Sequence, residues 1–143
     1  MKVNVQRNVK SLDALSKKLA EPREFLDLLG QSMLAAAHKR IQTTKRDANG
    51  RAWAPWATST ARARRKSGSA GRGLLYNTGA LDRSLTYTVQ GPKVSVQTAS
   101  PYARYLQNGT NRMPARPFLG FGKVEEEATQ AIWTKWMSDI NKE

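Results

Sequence analysis

Leu85-Thr86-Tyr87-Thr88-Val89-Gln90-Gly91-Pro92-Lys93-Val94-Ser95-Val96-Gln97-Thr98 decides the fold. Leu85, Tyr87 and Val89 alternate with Thr86, Thr88 and Gln90, and Val94, Val96 and Thr98 alternate with Lys93, Ser95 and Gln97. That two-residue period belongs to strands with one buried face. Gly91-Pro92 turns the chain between them, so the stretch reads as an antiparallel hairpin. Its inner face, Leu85, Tyr87, Val89, Val94 and Val96, needs an apolar surface to cover it.

Upstream, Phe25, Leu29, Met33, Ala37 and Ile41 lie four residues apart, and Leu26 and Leu34 widen the same stripe. With Pro22 suited to a first helical turn, residues 22–43 read as the principal core helix, and the hairpin is expected to pack on Phe25, Leu29 and Met33. A shorter helix precedes it over Ser11 to Ala20, with Ser11 as N-cap and Leu12, Leu15 and Leu19 at helical spacing. Val3 and Val5 share one face of a short terminal strand. Downstream, Ser100-Pro101 has cap-then-first-turn chemistry, Tyr102 to Gln107 makes a turn or two of helix, and Asn108-Gly109 ends it. The prolines of Met113-Pro114-Ala115-Arg116-Pro117-Phe118 exclude regular helix. Past Gly122, Glu125, Glu126 and Glu127 suit a helix N-terminus, and Val124, Ala128, Ile132, Trp136 and Ile140 form a second stripe, giving a C-terminal helix to about Ile140. The fold class is therefore α+β: a small antiparallel sheet packed against a long helix of the N-terminal half and a C-terminal helix, in a single domain over residues 1–143.

Between core helix and hairpin, Asp47-Ala48-Asn49-Gly50 supplies a tight turn, and Trp53-Ala54-Pro55-Trp56 an ordered loop. Ser59 or Thr60 caps a short helix through Lys66, ended by Ser67-Gly68, and the stretch to Gly73 is rich in Gly, Ser and Arg. Residues 61–73 are expected to form a mobile basic loop, because like charges and small residues cannot build a core. Leu74-Leu75-Tyr76 restores apolar content, and Thr78-Gly79 opens one turn in which Leu81 points inward.

Composition narrows the chemistry. The 143 residues carry 24 Lys+Arg against 11 Asp+Glu, a net charge of +13, with no cysteine and a single histidine. Disulfides, thiolate zinc sites and thiol nucleophiles are excluded, and one His38 leaves a histidine metal site or a Ser-His-Asp triad without parts. No apolar run approaches the roughly 20 residues of a membrane span. The charged start, Met1 to Lys10, lacks a signal-peptide apolar region, so a basic intracellular protein is expected.

Arg62, Arg64, Arg65, Lys66 and Arg72 form the conspicuous basic run, a candidate contact for a protein partner or for DNA. No aromatic residue interleaves with these charges, and no nucleic-acid-binding motif accompanies them. Trp53 and Trp56 are candidate interface anchors, although capping of the core is the better reading for them. Arg116, held between Pro114 and Pro117, reads as a charge aimed at a partner. Tyr102, Tyr105 and Gln107 sit at a corner where a ligand pocket is conceivable, but tyrosines in such places more often pack. Asp13, Asp27 and Asp47 have no paired carboxylate for hydrolysis. Gly68, Gly71 and Gly73 lack the Gly-Lys-Ser/Thr ending of a phosphate loop. No catalytic, cofactor or metal residue is expected.

Taken in order, Gly50-Arg51-Ala52-Trp53-Ala54-Pro55-Trp56, Thr60, Lys66, Leu74-Leu75-Tyr76-Asn77-Thr78-Gly79-Ala80-Leu81-Asp82-Arg83-Ser84, Tyr102-Ala103, Gln107-Asn108-Gly109 and Pro114-Ala115-Arg116-Pro117-Phe118-Leu119-Gly120 form a pattern. The pattern resembles the virion morphogenesis, or tail-completion, proteins of Mu-like tailed phages. Trp56 departs from it, standing where a smaller apolar residue is more common, and Asn108 stands where an aromatic is common. The resemblance implies a structural protein of phage or prophage origin at the head-proximal end of the tail or in the neck, assembled in host cytoplasm. Its fold would be related to tail-terminator and head–tail connector proteins. It also implies a ring, commonly hexameric, around the DNA channel, with tail-tube and neck or connector proteins as partners, a passing contact with phage DNA left open, and neither cofactor nor membrane. The alternative reading is a basic accessory protein that binds nucleic acid.

Overall fold

A computed structural model describes residues 13, 15–140 and 142 of the chain. The terminal strand through Val3 and Val5 and the Ser11 cap lie outside the described residues. Residues 15–20 are helical, and Pro22 stands immediately before helix α1, Arg23–Lys39. The Pro22 carbonyl takes the Leu26 N–H at 2.9 Å, so the proline contributes an acceptor where its missing donor costs nothing. The helix runs beyond Lys39 as a π-helical turn, Arg40–Thr44, with the Lys45 N–H reaching the Arg40 carbonyl at 3.1 Å. Lys45 then sits in the left-handed region at φ 52°. Its ammonium holds it there by donating to the carbonyls of Ile41 and Leu74.

Next come α2, Thr58–Lys66, a 3₁₀ turn, Ala70–Arg72, and α3, Ala80–Arg83. Ala57 rather than Ser59 or Thr60 occupies the N-cap of α2 and makes no side-chain cap bond; Ser67 and Gly68 end the helix as the sequence indicates. Strands β1, Leu85–Gln90, and β2, Lys93–Thr98, pair antiparallel in the register Leu85↔Thr98, Tyr87↔Val96, Val89↔Val94. The short helix α4, Ala103–Asn108, starts behind Tyr102. Ser100 does not cap it through its hydroxyl, which is buried without a partner; the Ser100 carbonyl accepts the Ala103 N–H at 3.2 Å instead. Helix α5, Lys123–Ile140, closes the chain.

The architecture is α+β, with α1 in contact with both strands of the hairpin and with α5. Gly30 of α1 lies under the Tyr87 ring, so close that a Cβ there would overlap it, and the Tyr87 hydroxyl donates to Asp27 at 2.8 Å. Phe25 meets Trp133 and Trp136 of α5, with ring centroids 5.4 and 5.6 Å away. The buried cluster joins Ala37, Ile41, Trp53, Leu81, Leu85, Ala103 and Phe118, so the loops share a core with α1 and β1.

Glu125 behaves differently from its acidic neighbours. It is 3% exposed and ion-paired with Arg40, itself 6% exposed. Its second oxygen accepts the Gly122 N–H at 3.0 Å, and Arg40 also donates to the Phe118 carbonyl at 3.3 Å. The helix-dipole reading fits the first-turn Glu125 and Glu126, and Glu127 beyond them is exposed like Glu126; Glu125 in addition latches the start of α5 to Arg40. No helix among the described residues is long and apolar enough to cross a membrane.

Candidate partner-binding site

The proline segment is positioned by two left-handed or bonded points before it. Gly109, at φ 73°, ends α4 so tightly that a Cβ would stand 2.7 Å from the Ala115 nitrogen. Arg116 N–H then reaches the Leu106 carbonyl at 2.8 Å, laying residues 114–116 back along α4. Gln107 fixes the two residues after Pro117: its Oε1 accepts the N–H groups of Phe118 and Leu119, and its Nε2 donates to the Leu119 carbonyl at 2.7 Å. Irregular backbone cannot satisfy itself, and this side chain takes the place of a missing strand.

The Trp53–Trp56 loop lies against that segment. Trp53, 6% exposed, donates from Nε1 to the Pro117 carbonyl at 2.9 Å and caps the core. Arg116 reaches the other way, from Nε to Ala54 O and from Nη2 to Pro55 O, both at 2.9 Å. The sequence suggests an outward charge, but the structure places this guanidinium inside, 6% exposed. Ala54 and Pro55 offer carbonyls that no ladder takes up, which gives the arginine its reason to turn inward. Burial holds the Arg116 pKa below its ordinary value, and among the described residues no acidic side chain bonds to it.

Beside this brace opens a cavity of about 520 Å³. Leu75, Leu81, Leu106 and Met113 line it with apolar surface, and Trp56 forms one wall. The Arg64 guanidinium lies 5.0 Å from the Trp56 ring centroid, in reach of a cation–π contact, and donates to Asn77 Oδ1 at 3.2 Å. Leu75 stands at φ 60°, a conformation unusual for a branched side chain. Every ionisable side chain on the lining other than Tyr102 is an arginine: Arg64, Arg112 and Arg116.

Of the candidates from sequence, the structure gathers Trp56, Arg64 and Arg116 at this cavity. Trp53 lies behind it in the core. Arg62, Arg65 and Lys66 remain exposed on α2, away from the lining, and Arg72 crosses from the 3₁₀ turn to donate to the Asn77 carbonyl at 2.7 Å. Tyr102 borders the cavity, Tyr105 is half exposed at 49%, and Gln107 is spent on backbone. Sequence reasoning missed Arg112 and Asn77, whose only local sign is a polar residue inside a turn. It also gave His38 no role, yet His38 Nδ1 lies 2.7 Å from Asp82 Oδ1, while Gln42 donates to Asp82 Oδ2 at 2.8 Å, joining α1 to α3. Among the described residues no group of three or more His, Cys, Asp or Glu side chains could hold a metal ion.

Arginines on an apolar, acid-free cavity bind anionic or acidic groups; being always protonated, they neither give nor take a proton at ordinary pH. No curated protein and no solved structure matches the chain. A family does, over residues 3–138, a span that takes in α1, the cavity, the hairpin and nearly all of α5. The chain belongs to the phage virion morphogenesis family.

Proposed function

We propose that this morphogenesis protein completes the tail or neck as a subunit of a ring, most simply a hexamer, seated between tail-tube and neck or connector proteins. The observation that carries the reading is the bare hairpin. Its sheet has two strands, so the outer edge of each is unpaired by any other strand among the described residues. Unpaired edges template contacts with further chains, and different surfaces meeting head to tail close into rings when the rotation fits. The role is structural rather than enzymatic: the cavity offers permanently charged arginines suited to binding, not to proton transfer. Sedimentation and negative-stain imaging of the purified chain over a range of concentrations test this. Closed rings of uniform size support it, and a chain that stays monomeric both alone and on tails lacking it overturns it.

A second reading, DNA contact, has the exposed Arg62, Arg65, Lys66 and Arg72 in its favour. In our reading this segment is mobile in the free subunit and orders against an acidic protein neighbour in the particle. Duplex DNA binding would weaken with salt at a slope of about −0.9 per phosphate contacted. A protein contact falls more gently and is partner-specific. Changing Arg62, Arg65 and Lys66 to Ser separates the two: lost tail completion with unchanged DNA retention favours protein, and the reverse favours DNA.

A further inference from the structure

We propose that the arginine-lined cavity receives the corner of α5 from a second copy of this chain, with Phe121 and Val124 entering over the apolar floor and Glu127 meeting Arg112 and Arg64. The inference rests on the ring reading and names its contact. Among the described large hydrophobic side chains, Val124 and Phe121 are the most exposed, at 61% and 54%. Val124 and Glu127 lie three residues apart at the start of α5 and so neighbour one another on its surface, and Phe121 stands exposed two residues before the helix begins. The side chain of Glu127 is 70% exposed and spans 3.9 Å to Lys123, a distance that holds neither group firmly. This chain of net charge +13 thus presents an apolar knob tipped with a carboxylate.

The cavity is complementary in both respects. Arg112 is exposed at its rim and makes no side-chain hydrogen bond among the described residues, and Arg116 at its inner end keeps Nη1 unbonded there. Leu75, Leu81 and Met113 supply the surface a phenyl ring would cover. None of residues 121–127 lines the cavity, so knob and cavity are separate surfaces, and one copy can fill a neighbour's cavity while a third fills its own. Repeated head to tail from copy to copy, such a contact builds a ring or a filament. The Glu125 latch and the buried Gly122 beside it hold the knob at a fixed angle.

The test is a charge exchange in the full chain, read by sedimentation velocity, with melting temperature as the folding control. R112E and E127R change exposed side chains and should melt like the native chain. Each alone should weaken self-association about tenfold or more, and the R112E/E127R pair should recover most of the loss. F121S should weaken it without rescue by either. Single variants that assemble as the native chain does overturn the proposal while leaving the ring intact. Loss in both singles with no recovery in the pair also overturns it, since the two surfaces would then serve different neighbours. R112E that assembles normally but fails to complete tails assigns the cavity to another virion protein, against the proposal. A native chain that stays monomeric both alone and on tails lacking it overturns ring and contact together.

Discussion

Two arginine-bearing regions of this chain resemble one another in composition and differ in use. In the proline corner, Arg116 is buried on the carbonyls of Ala54 and Pro55, and nearby Arg40 is buried against Glu125 and the Phe118 carbonyl. Along α2, Arg62, Arg65 and Lys66 face solvent. The difference lies in what surrounds each cation. Irregular backbone around residues 53–56 and 114–119 leaves carbonyls unclaimed, and arginine's fork of donors can collect them. A regular helix uses its own carbonyls, so Arg62, Arg65 and Lys66 have no backbone to turn toward and stay exposed, while Arg64 of the same helix turns to Trp56 and Asn77 instead.

The comparison breaks most visibly at its buried end. Glu125→Ala strands the Arg40 charge inside and should cost about 3–5 kcal/mol in urea unfolding; a loss below about 1 kcal/mol would mean that the latch is not a determinant of the fold. Arg116→Met keeps bulk but orphans the Ala54 and Pro55 carbonyls, with an expected loss of about 2–4 kcal/mol from two hydrogen bonds. Stability equal to the native chain would return Arg116 to the class of surface charges. On the hairpin side, Gly30→Ala should cost about 1–3 kcal/mol by overpacking against Tyr87, and near-UV circular dichroism should show the ring displaced.

A pH experiment sharpens the same contact. The Tyr87 hydroxyl donates to the Asp27 carboxylate, and that bond raises its pKa in the folded chain. A raised folded-state value means the stabilisation is whole below the ordinary phenol range near about 10 and is lost as pH climbs through the folded value. Tyr87→Phe should lack this alkaline loss in a melting series, and an identical pH profile for both chains would remove the bond from the account. The smallest effect belongs to the exposed end: Arg62, Arg65 and Lys66 all changed to Ser should leave stability within about 0.5 kcal/mol. A larger drop would show that α2 is held by its charges, and the contrast between the regions would fall.

The hairpin and both long helices were legible because each writes its period locally: Leu85, Tyr87 and Val89 alternate, and Trp136 and Ile140 recur at four. Glu125 was not, since the helix dipole explains a carboxylate there equally well and Arg40 lies 85 residues away. Arg116 was legible as special but not in direction, because prolines stiffen a segment without saying which way it faces. The cavity was the least legible part. Trp56, Arg64 and Leu75 are near one another in sequence, but Arg112 comes from a distant segment, one that turns tightly where Gly109 passes Ala115.

The π-helical turn at Arg40–Thr44 has a consequence for how the sequence can vary. A π turn holds one more residue than the α-helical ladder needs, so it sets the phase of everything after it. Deleting a residue there would restore a regular ladder and rotate the chain beyond it by about 100°. The Lys45 ammonium would swing off the Leu74 carbonyl, and the Asp47–Gly50 turn would lift from Gly122, whose position beside Ala48 leaves no room for a Cβ. Thr43 and Thr44, both exposed, can change identity with little effect. Their number cannot change: at this point chain length itself is the constrained quantity, and insertions or deletions belong elsewhere.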